Sequence, residues 1–540
     1  MNGARSLLQG LVASGVDTCF MNPGTSEMHF VAALDDVPAM RGVLGLFEGV
    51  VTGAADGYGR IAGRPAAALL HLGPGLGNGI ANLHNARRAH TPVVTIVGDH
   101  ATYHKAFDAP LESDIDSLAR PVSGWLRRPA SPASLAVDAA AAVEAASGPP
   151  GTVATLIVPA DISWSDVVGD GSADGAPAGT GAPRPVEGAG RSKRDGAPAG
   201  DAVDGGTVDE IAKILRSGEP AALLVGGRAT CAEGLFAAAA VSQATGAKLL
   251  CETFPANLER GAGVPAVERL AYLAEMATAQ LEGLRHLILV DAKSPVSFFA
   301  YPGKPSDLVP EGCGVRTLAT GADDVVGALS GLQESVGGSN APTGGTQGRR
   351  PEPPTGPLTA QAVAAALGAA LPEGAIVSDE GNTAGLFVSG ETAHAPRHNW
   401  LCLTGGAIGQ GLPVATGAAL AAPDRPVVAL EADGSAMYTL QALWTQAREG
   451  LDVTTIVFDN GSYAILELEL SRVGAGASGE RARAMLDLDR PRLDFVSLAQ
   501  GMGVPAARVT TAEEMTAQLA GAFAEDGPHV IQAVLGKGLF

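Results

Sequence analysis

The chain has 540 residues, 46% of them hydrophobic, enough for about two to four separately cored domains. A formal net charge of −21 excludes the basic footprint of a nucleic-acid binder and leaves no polybasic anchor for anionic lipid. No apolar run approaches the ~18 residues of a membrane span, and the first residues lack the apolar core of a secretory signal. Taken in chain order, a first segment, 1–164, carries an apolar run over Val16–Met21 that ends in Asn22-Pro23-Gly24-Thr25-Ser26-Glu27. An amphipathic stretch follows from Phe47-Glu48-Gly49 to Asp56-Gly57-Tyr58-Gly59-Arg60. Strand-like runs lie over 66–72, 92–98 and 151–159, and the first of them passes into His71-Leu72-Gly73-Pro74-Gly75. His100 and His104 follow the second run and stand within reach of the same end of the sheet.

Residues 165–206, built of Gly, Ala, Pro, Asp and Ser without an apolar period, read as a flexible linker. A middle segment, 207–334, has apolar runs over 221–227, 247–252 and 286–292. Its Val225-Gly226-Gly227-Arg228 turn is too little for a nucleotide fingerprint, so FAD is not expected there. A second linker spans 335–356. The third segment, 357–540, has strand-like runs over 375–380, 426–434, 453–461 and 529–535. Continuous apolar strands alternating with helices predict parallel sheets covered on both faces. The expected fold is α/β, with three successive doubly wound domains whose ligands bind beyond the carboxyl ends of the strands.

Two of those strand ends carry chemistry. One run closes in Ala432-Asp433-Gly434-Ser435 and the next in Asp459-Asn460-Gly461-Ser462-Tyr463, with Asp433 and Asn460 27 residues apart (433 to 460). A strand–helix–strand unit of about 30 residues sets both ends side by side. One carboxylate, one amide oxygen and a backbone carbonyl near Ser462 form a hard-oxygen shell of the kind Mg²⁺ takes while keeping phosphate oxygens as further ligands. The plain alternative is that both motifs are turns after strands. Glu48 likewise has a plain reading as a first-turn acid that complements a helix dipole, and His71 as a hydrogen-bonded residue at a strand end.

Together these motifs resemble the thiamine-diphosphate-dependent enzyme family, near its acetolactate synthase and benzoylformate decarboxylase branches. The resemblance covers nearly the whole chain outside the linkers. Here Ala432 replaces the first Gly of the family's Gly-Asp-Gly and Asp459 the first of its two asparagines. The resemblance implies thiamine diphosphate and Mg²⁺ as cofactors. Asp433, Asn460 and Ser462 would hold the metal, and Gly434, Ser435, Glu380, Asn382 and Tyr463 would lie along the diphosphate. The stretch Thr404-Gly405-Gly406-Ala407-Ile408-Gly409 would bend the cofactor, with Ile408 as wedge and the Gly406 carbonyl toward the pyrimidine. Glu48 would activate that ring, Thr25 would hold the substrate carboxylate, and His71 would protonate an enamine left by CO₂ loss. Phe298, Phe299 or Tyr301 would line an aromatic pocket or pack ordinarily, and Glu467 and Glu469 read as a solvated helix face. Pyrimidine-binding and diphosphate-binding domains of this family meet across a subunit interface, which implies a homodimer or a homotetramer.

The expected function is non-oxidative decarboxylation or carboligation of a small 2-oxo acid. Acetolactate synthesis is the alternative, although Asp108-Ala109-Pro110-Leu111-Glu112 lacks the Phe and Gln that those enzymes carry. A flavin or nicotinamide oxidoreductase would need a Gly-x-Gly-x-x-Gly turn opening a helix, and a catalytically retired scaffold subunit would fit the altered motif positions. Cys19, Cys231, Cys251, Cys313 and Cys402 are scattered without a Cys-x-x-Cys pair, which suits reduced thiols in a cytoplasmic protein.

Overall fold

A computed structural model describes residues 1–167, 200–339, 348–475 and 479–537. In the first segment six parallel strands run in the order Arg41–Leu44, Thr18–Asn22, Ala66–Leu70, Val93–Asp99, Val153–Pro159, Trp125–Arg127. The strands Val93–Asp99 and Val153–Pro159 are buried at every position. Alternate residues of Ala66–Leu70 feed different cores: Ala67 and Leu69 pack with the helix Gly3–Ala13, while Ala66, Ala68 and Leu70 pack with Val51, Ala54 and Leu76. That two-sided burial is why these runs are continuously apolar rather than alternating. Strand order reverses between Thr18–Asn22 and Ala66–Leu70, so the loops after these two strands flank a switch-point crevice.

The middle segment forms a five-stranded parallel sheet on Glu268–Arg269, Lys248–Cys251, Ala221–Val225, His286–Val290 and Gly314–Ala319. It also lends the short strand Leu258–Arg260 to the third sheet, where it pairs antiparallel with His398–Cys402. The third sheet has seven strands in the order Ala506–Val509, His529–Val534, Val453–Asp459, Val427–Ala432, Ile376–Glu380, His398–Cys402, Leu258–Arg260. Its reversal lies beside Ile376–Glu380, so the loops after Glu380 and after Ala432 meet at its own crevice. The architecture is the expected α/β fold of three parallel-dominated, helix-covered sheets.

The first and third sheets are joined by the helices Glu48–Ala62 and Gly411–Ala421. They touch backbone to backbone because the contacts are glycines. A Cβ on Gly417 would lie 1.8 Å from the Ala54 carbonyl oxygen, and one on Gly57 would lie 2.1 Å from that of Val414. Of the linker readings, 168–199 and 340–347 fall outside the described residues. At the edges the structure differs, because a helix already begins at Gly205 and another ends at Val336, each inside the stretch read as linker. The Arg350 guanidinium donates to the Gly368 and Leu371 carbonyls at the end of the helix Ala360–Ala370, tying down the tail of the second linker. Among the described residues no helix is long and apolar enough to cross a membrane.

Candidate active site

The switch-point loops of the first sheet bring an imidazole and a carboxylate together. His71 caps the helix Leu72–Arg88, and its Nδ1 lies 2.8 Å from Glu27 Oε2. The same oxygen accepts the Gly24 N–H at 2.8 Å, which closes the Gly24–Glu27 turn. Position 24 has to be glycine, since a Cβ there would stand 2.3 Å from the imidazole. The Glu27 hydrogen bond, opposed by partial burial, holds the His71 pKa above the ordinary histidine value, and the Glu48 charge adds to the effect. A carboxylate on Nδ1 keeps the proton there in the neutral ring and frees Nε2 to exchange a second one. In the sequence Glu27 shows only as part of a loop. Its pairing with a residue 44 positions away has no local signature.

Glu48 opens its helix and is buried, at 8% exposure. Its Oε2 accepts the Asn78 amide at 3.0 Å, and its Oε1 passes so close to Gly75 that a Cβ there would lie at 3.3 Å. The Gly-Pro-Gly turn therefore leaves room for this carboxylate. Thr25 and Ser26 line a cavity of about 180 Å³ with His100, Tyr103, His104 and Trp164. The rings of His100 and His104 lie tilted against each other with centroids 5.3 Å apart, and both loop histidines stand at that wall.

In the third sheet the strands ending at Ala432 and Asp459 are register neighbours. Asp433 Oδ2 accepts the Gly461 N–H at 2.7 Å and Oδ1 accepts the Gly434 N–H at 2.8 Å, so the carboxylate spans the two strand ends as the spacing predicts. Asn460 Oδ1 accepts the Ser462 N–H. The Ser462 hydroxyl donates to Glu467 at 2.7 Å, which leaves its carbonyl as the oxygen free to face a metal. Tyr463 packs over Gly434, where a Cβ would lie 2.3 Å from the ring. Burial pushes the Asp433 carboxyl up to about 6. Among the described residues no group of three or more His, Cys, Asp or Glu side chains gathers into a metal site. One buried carboxylate with neutral oxygens beside it suits Mg²⁺ that draws its remaining charge balance from phosphate.

Asp459, which replaces the family's asparagine, points away from this shell. Its carboxylate pairs with Arg492, at 3.2 Å to each oxygen, and accepts the Gln532 amide at 2.7 Å. The partners lie 33 and 73 residues further along the chain and could not be found from the motif. Glu380 is also buried, and its two oxygens accept the Gly409 and Gly411 N–H groups at 2.8 and 2.6 Å, at the start of the helix Gly411–Ala421. Burial pushes its carboxyl up to about 7. It is held by the protein backbone rather than aimed at a ligand. Ser435 donates to Glu431, and Asn382 adopts a left-handed backbone with φ 48 in the loop after Glu380. Glu469 departs from the solvated-face reading, since it accepts the Tyr301 hydroxyl and pairs with Arg472.

The loop Thr404–Gly409 is clamped to the first segment of its own chain. The Asn85 amide donates to the Ala407 carbonyl at 2.8 Å, His84 Nε2 lies 3.1 Å from the Gly405 carbonyl oxygen, and Asn82 bridges the Gly49 and Gly409 carbonyls. Ile408 is half-buried and Gly406, at φ 74, is exposed. Phe298 approaches this loop from the middle segment, within 3.2 Å of where a Gly406 Cβ would lie, and packs edge-on against Phe254. The start of the Glu48 helix and the Gly406–Gly409 loop thus share the Asn82 amide.

Family models match both halves of this arrangement. Residues 1–119 match the thiamine pyrophosphate enzyme N-terminal TPP binding domain, and residues 379–533 match the C-terminal TPP binding domain. The chain is 60% identical over 538 residues to a Mycobacterium tuberculosis protein provisionally named acetolactate synthase large subunit IlvX, covering 99% of each. The chain belongs to the thiamine pyrophosphate enzyme family. Within that family it is 32% identical to a benzoylformate decarboxylase of Pseudomonas aeruginosa over 96% of each chain. The solved structure of a thiamine diphosphate-dependent 4-hydroxybenzoylformate decarboxylase of Rhodococcus jostii shares the fold, with a TM-score of 0.83 at 24% identity and full coverage of both chains.

Proposed function

We propose that this family member uses thiamine diphosphate and Mg²⁺ to cleave the bond between the carbonyl and carboxylate carbons of a small 2-oxo acid, without oxidation. Asp433, Asn460 and the Ser462 carbonyl would hold the metal, Gly434, Ser435, Asn382 and Tyr463 would line the diphosphate, and Ile408 and Gly406 would shape the ring site. Bound there, thiamine diphosphate supplies the carbon nucleophile and the electron sink for carboxylate loss. Glu48 presents a buried carboxylate able to share a proton with a ring nitrogen. Thr25, on the cavity wall, would hold the substrate carboxylate. The proton that replaces departing CO₂ on carbon comes from His71, recharged through its Nε2.

The single observation that carries this reading is the His71–Glu27 pair, a proton donor held by a buried carboxylate at the same crevice as Glu48. A second reading, transfer to another carbonyl as in an acetolactate synthase, is favoured by the name of the 60% identical relative. Flavin is left out of both. In the middle segment the turn amides of Gly227 and Arg228, where a nucleotide phosphate would dock, are taken by the carboxylates of Glu252 and Asp291. Active sites completed between two subunits, in a homodimer or homotetramer, are part of the proposal. The test is to incubate protein, thiamine diphosphate and Mg²⁺ with a panel of 2-oxo acids, with and without an acceptor aldehyde. CO₂ release with aldehyde formation supports the first reading and ketol formation the second. No CO₂ from any acid of the panel would refute both.

A further inference from the structure

Away from the crevice, two arginines line a cavity of about 220 Å³ between the strand Leu258–Arg260 and the helix Val388–Glu391. Arg260 donates to the Ser389 hydroxyl at 2.8 Å and to the Ser389 carbonyl, and its guanidinium lies 4.8 Å from the centre of the Trp400 ring. Arg269 donates to Cys402 Sγ at 3.3 Å. Among the described residues neither guanidinium has a carboxylate within 4.0 Å. The thiol cannot serve as the counter-charge, because burial pushes its pKa up to about 11. Asp379 is the one carboxylate felt by both arginines, and its Oδ2 is occupied by the Trp400 indole N–H. Two positive charges therefore face one negative charge. Burial and then repulsion by Arg269 lower the Arg260 pKa to about 10, whereas the Arg269 pKa is raised despite its burial, with Cys402 and Asp379 as its favourable neighbours.

Partly buried charges of one sign are disfavoured when adjacent and unpaired, because each loses hydration that only an opposite charge restores. Guanidinium remains protonated and presents a fork matched to two oxygens on one centre. We propose that Arg260 and Arg269 bind a small monocarboxylate in this cavity, at a site separate from the thiamine crevice. The missing charge is one unit, which favours a monoanion over a phosphate dianion. The walls, Leu258, Pro265, Val267 and Ala393, are apolar and suit a short aliphatic tail, while Ser389 stands beside the head group. The site would also bear on the crevice, because Cys402 ends the strand that leads into Thr404–Gly409.

The test uses the full-length protein at constant ionic strength, with acetate and isobutyrate as probes and inorganic phosphate and chloride as comparators. Trp400, under the Arg260 guanidinium, reports occupancy by fluorescence. Saturable change with isobutyrate, weaker with phosphate and absent in Arg269→Gln, is the expected result. A response identical in wild type and Arg269→Gln overturns the proposal. A second measurement needs no variant: phenylglyoxal labelling of the Arg260 and Arg269 peptides, mapped by mass spectrometry, should fall several-fold with isobutyrate. Labelling unchanged by any of the four anions would equally overturn it. Phosphate protecting better than isobutyrate would overturn the assignment to a carboxylate.

Discussion

The Asp459–Arg492 pair can be tested by removing the arginine. Asp459 is 1% exposed and sits one residue before Asn460, and its charge already contributes to the raised pKa of Asp433. In Arg492→Met the carboxylate keeps only the Gln532 amide. Breaking a fully buried pair costs about 3–5 kcal/mol and an exposed one ~0–1 kcal/mol. The Arg492 side chain is 42% exposed, so the expected loss lies between these limits, at about 2 kcal/mol. At an effective dielectric of about 20, an extra charge just beyond the ligand shell also opposes a diphosphate by ~1–2 kcal/mol, or about tenfold in affinity. The assay is a thiamine diphosphate titration at fixed Mg²⁺, followed by thermal stability and calorimetry. Adding Asp459→Asn to Arg492→Met should restore the affinity, because it removes the uncompensated charge and returns the residue the family carries there. Wild-type affinity in Arg492→Met, or no recovery in the double variant, would refute the argument that Arg492 neutralises this position.

Glu48→Gln should lower turnover by about 100-fold or more while cofactor affinity in calorimetry stays near wild type. Glu27→Gln removes the main cause of the raised His71 pKa, so the pH at which turnover falls off on the alkaline side should move down, as read from kcat profiles. The Asp433 carboxyl is raised to about 6, so Mg²⁺-dependent cofactor affinity should weaken as pH falls through about 6, and Asp433→Asn should flatten that dependence in the same titration. For the apo-protein the sign reverses. A carboxyl raised by burial favours the folded state when protonated, so its contribution to the thermal midpoint shrinks as pH rises from the ordinary carboxylate range through about 6. Gly417→Val should cost about 3 kcal/mol or more, since the new Cβ meets the Ala54 carbonyl, with a lower thermal midpoint as the readout.

The sheets were legible where burial is two-sided, as in Val93–Asp99 and Val453–Asp459, because there the apolar run is itself the physical signal. His398–Cys402 was missed although it is buried throughout. It opens with His398, whose Nδ1 lies 2.8 Å from the Pro396 carbonyl oxygen, and Asn399, whose amide donates to the Asn257 side-chain oxygen, a partner 142 residues away that only the folded chain supplies. Leu258–Arg260 is three residues long and crosses from the middle segment into another sheet, so no local period could reveal it. At the candidate site, Asp433 and Asn460 could be read because one strand–helix–strand unit fixes their spacing. Glu27 beside His71 and Arg492 beside Asp459 could not, because each pair is made by tertiary packing of distant loops.

The proposed function requires Glu48 of the first segment and Asp433 of the third to serve one cofactor, and the proposal places that cofactor between two subunits. Mixing Glu48→Gln with Asp433→Asn after dissociation and reassociation tests it, with CO₂ release from the best 2-oxo acid of the panel as readout. In a two-fold dimer the mixed species carries one doubly altered site and one intact site, so two inactive variants should together recover up to about a quarter of wild-type activity. If mixed subunits are shown to form and activity stays at the level of the separate variants, the two carboxylates do not meet across an interface and the account fails.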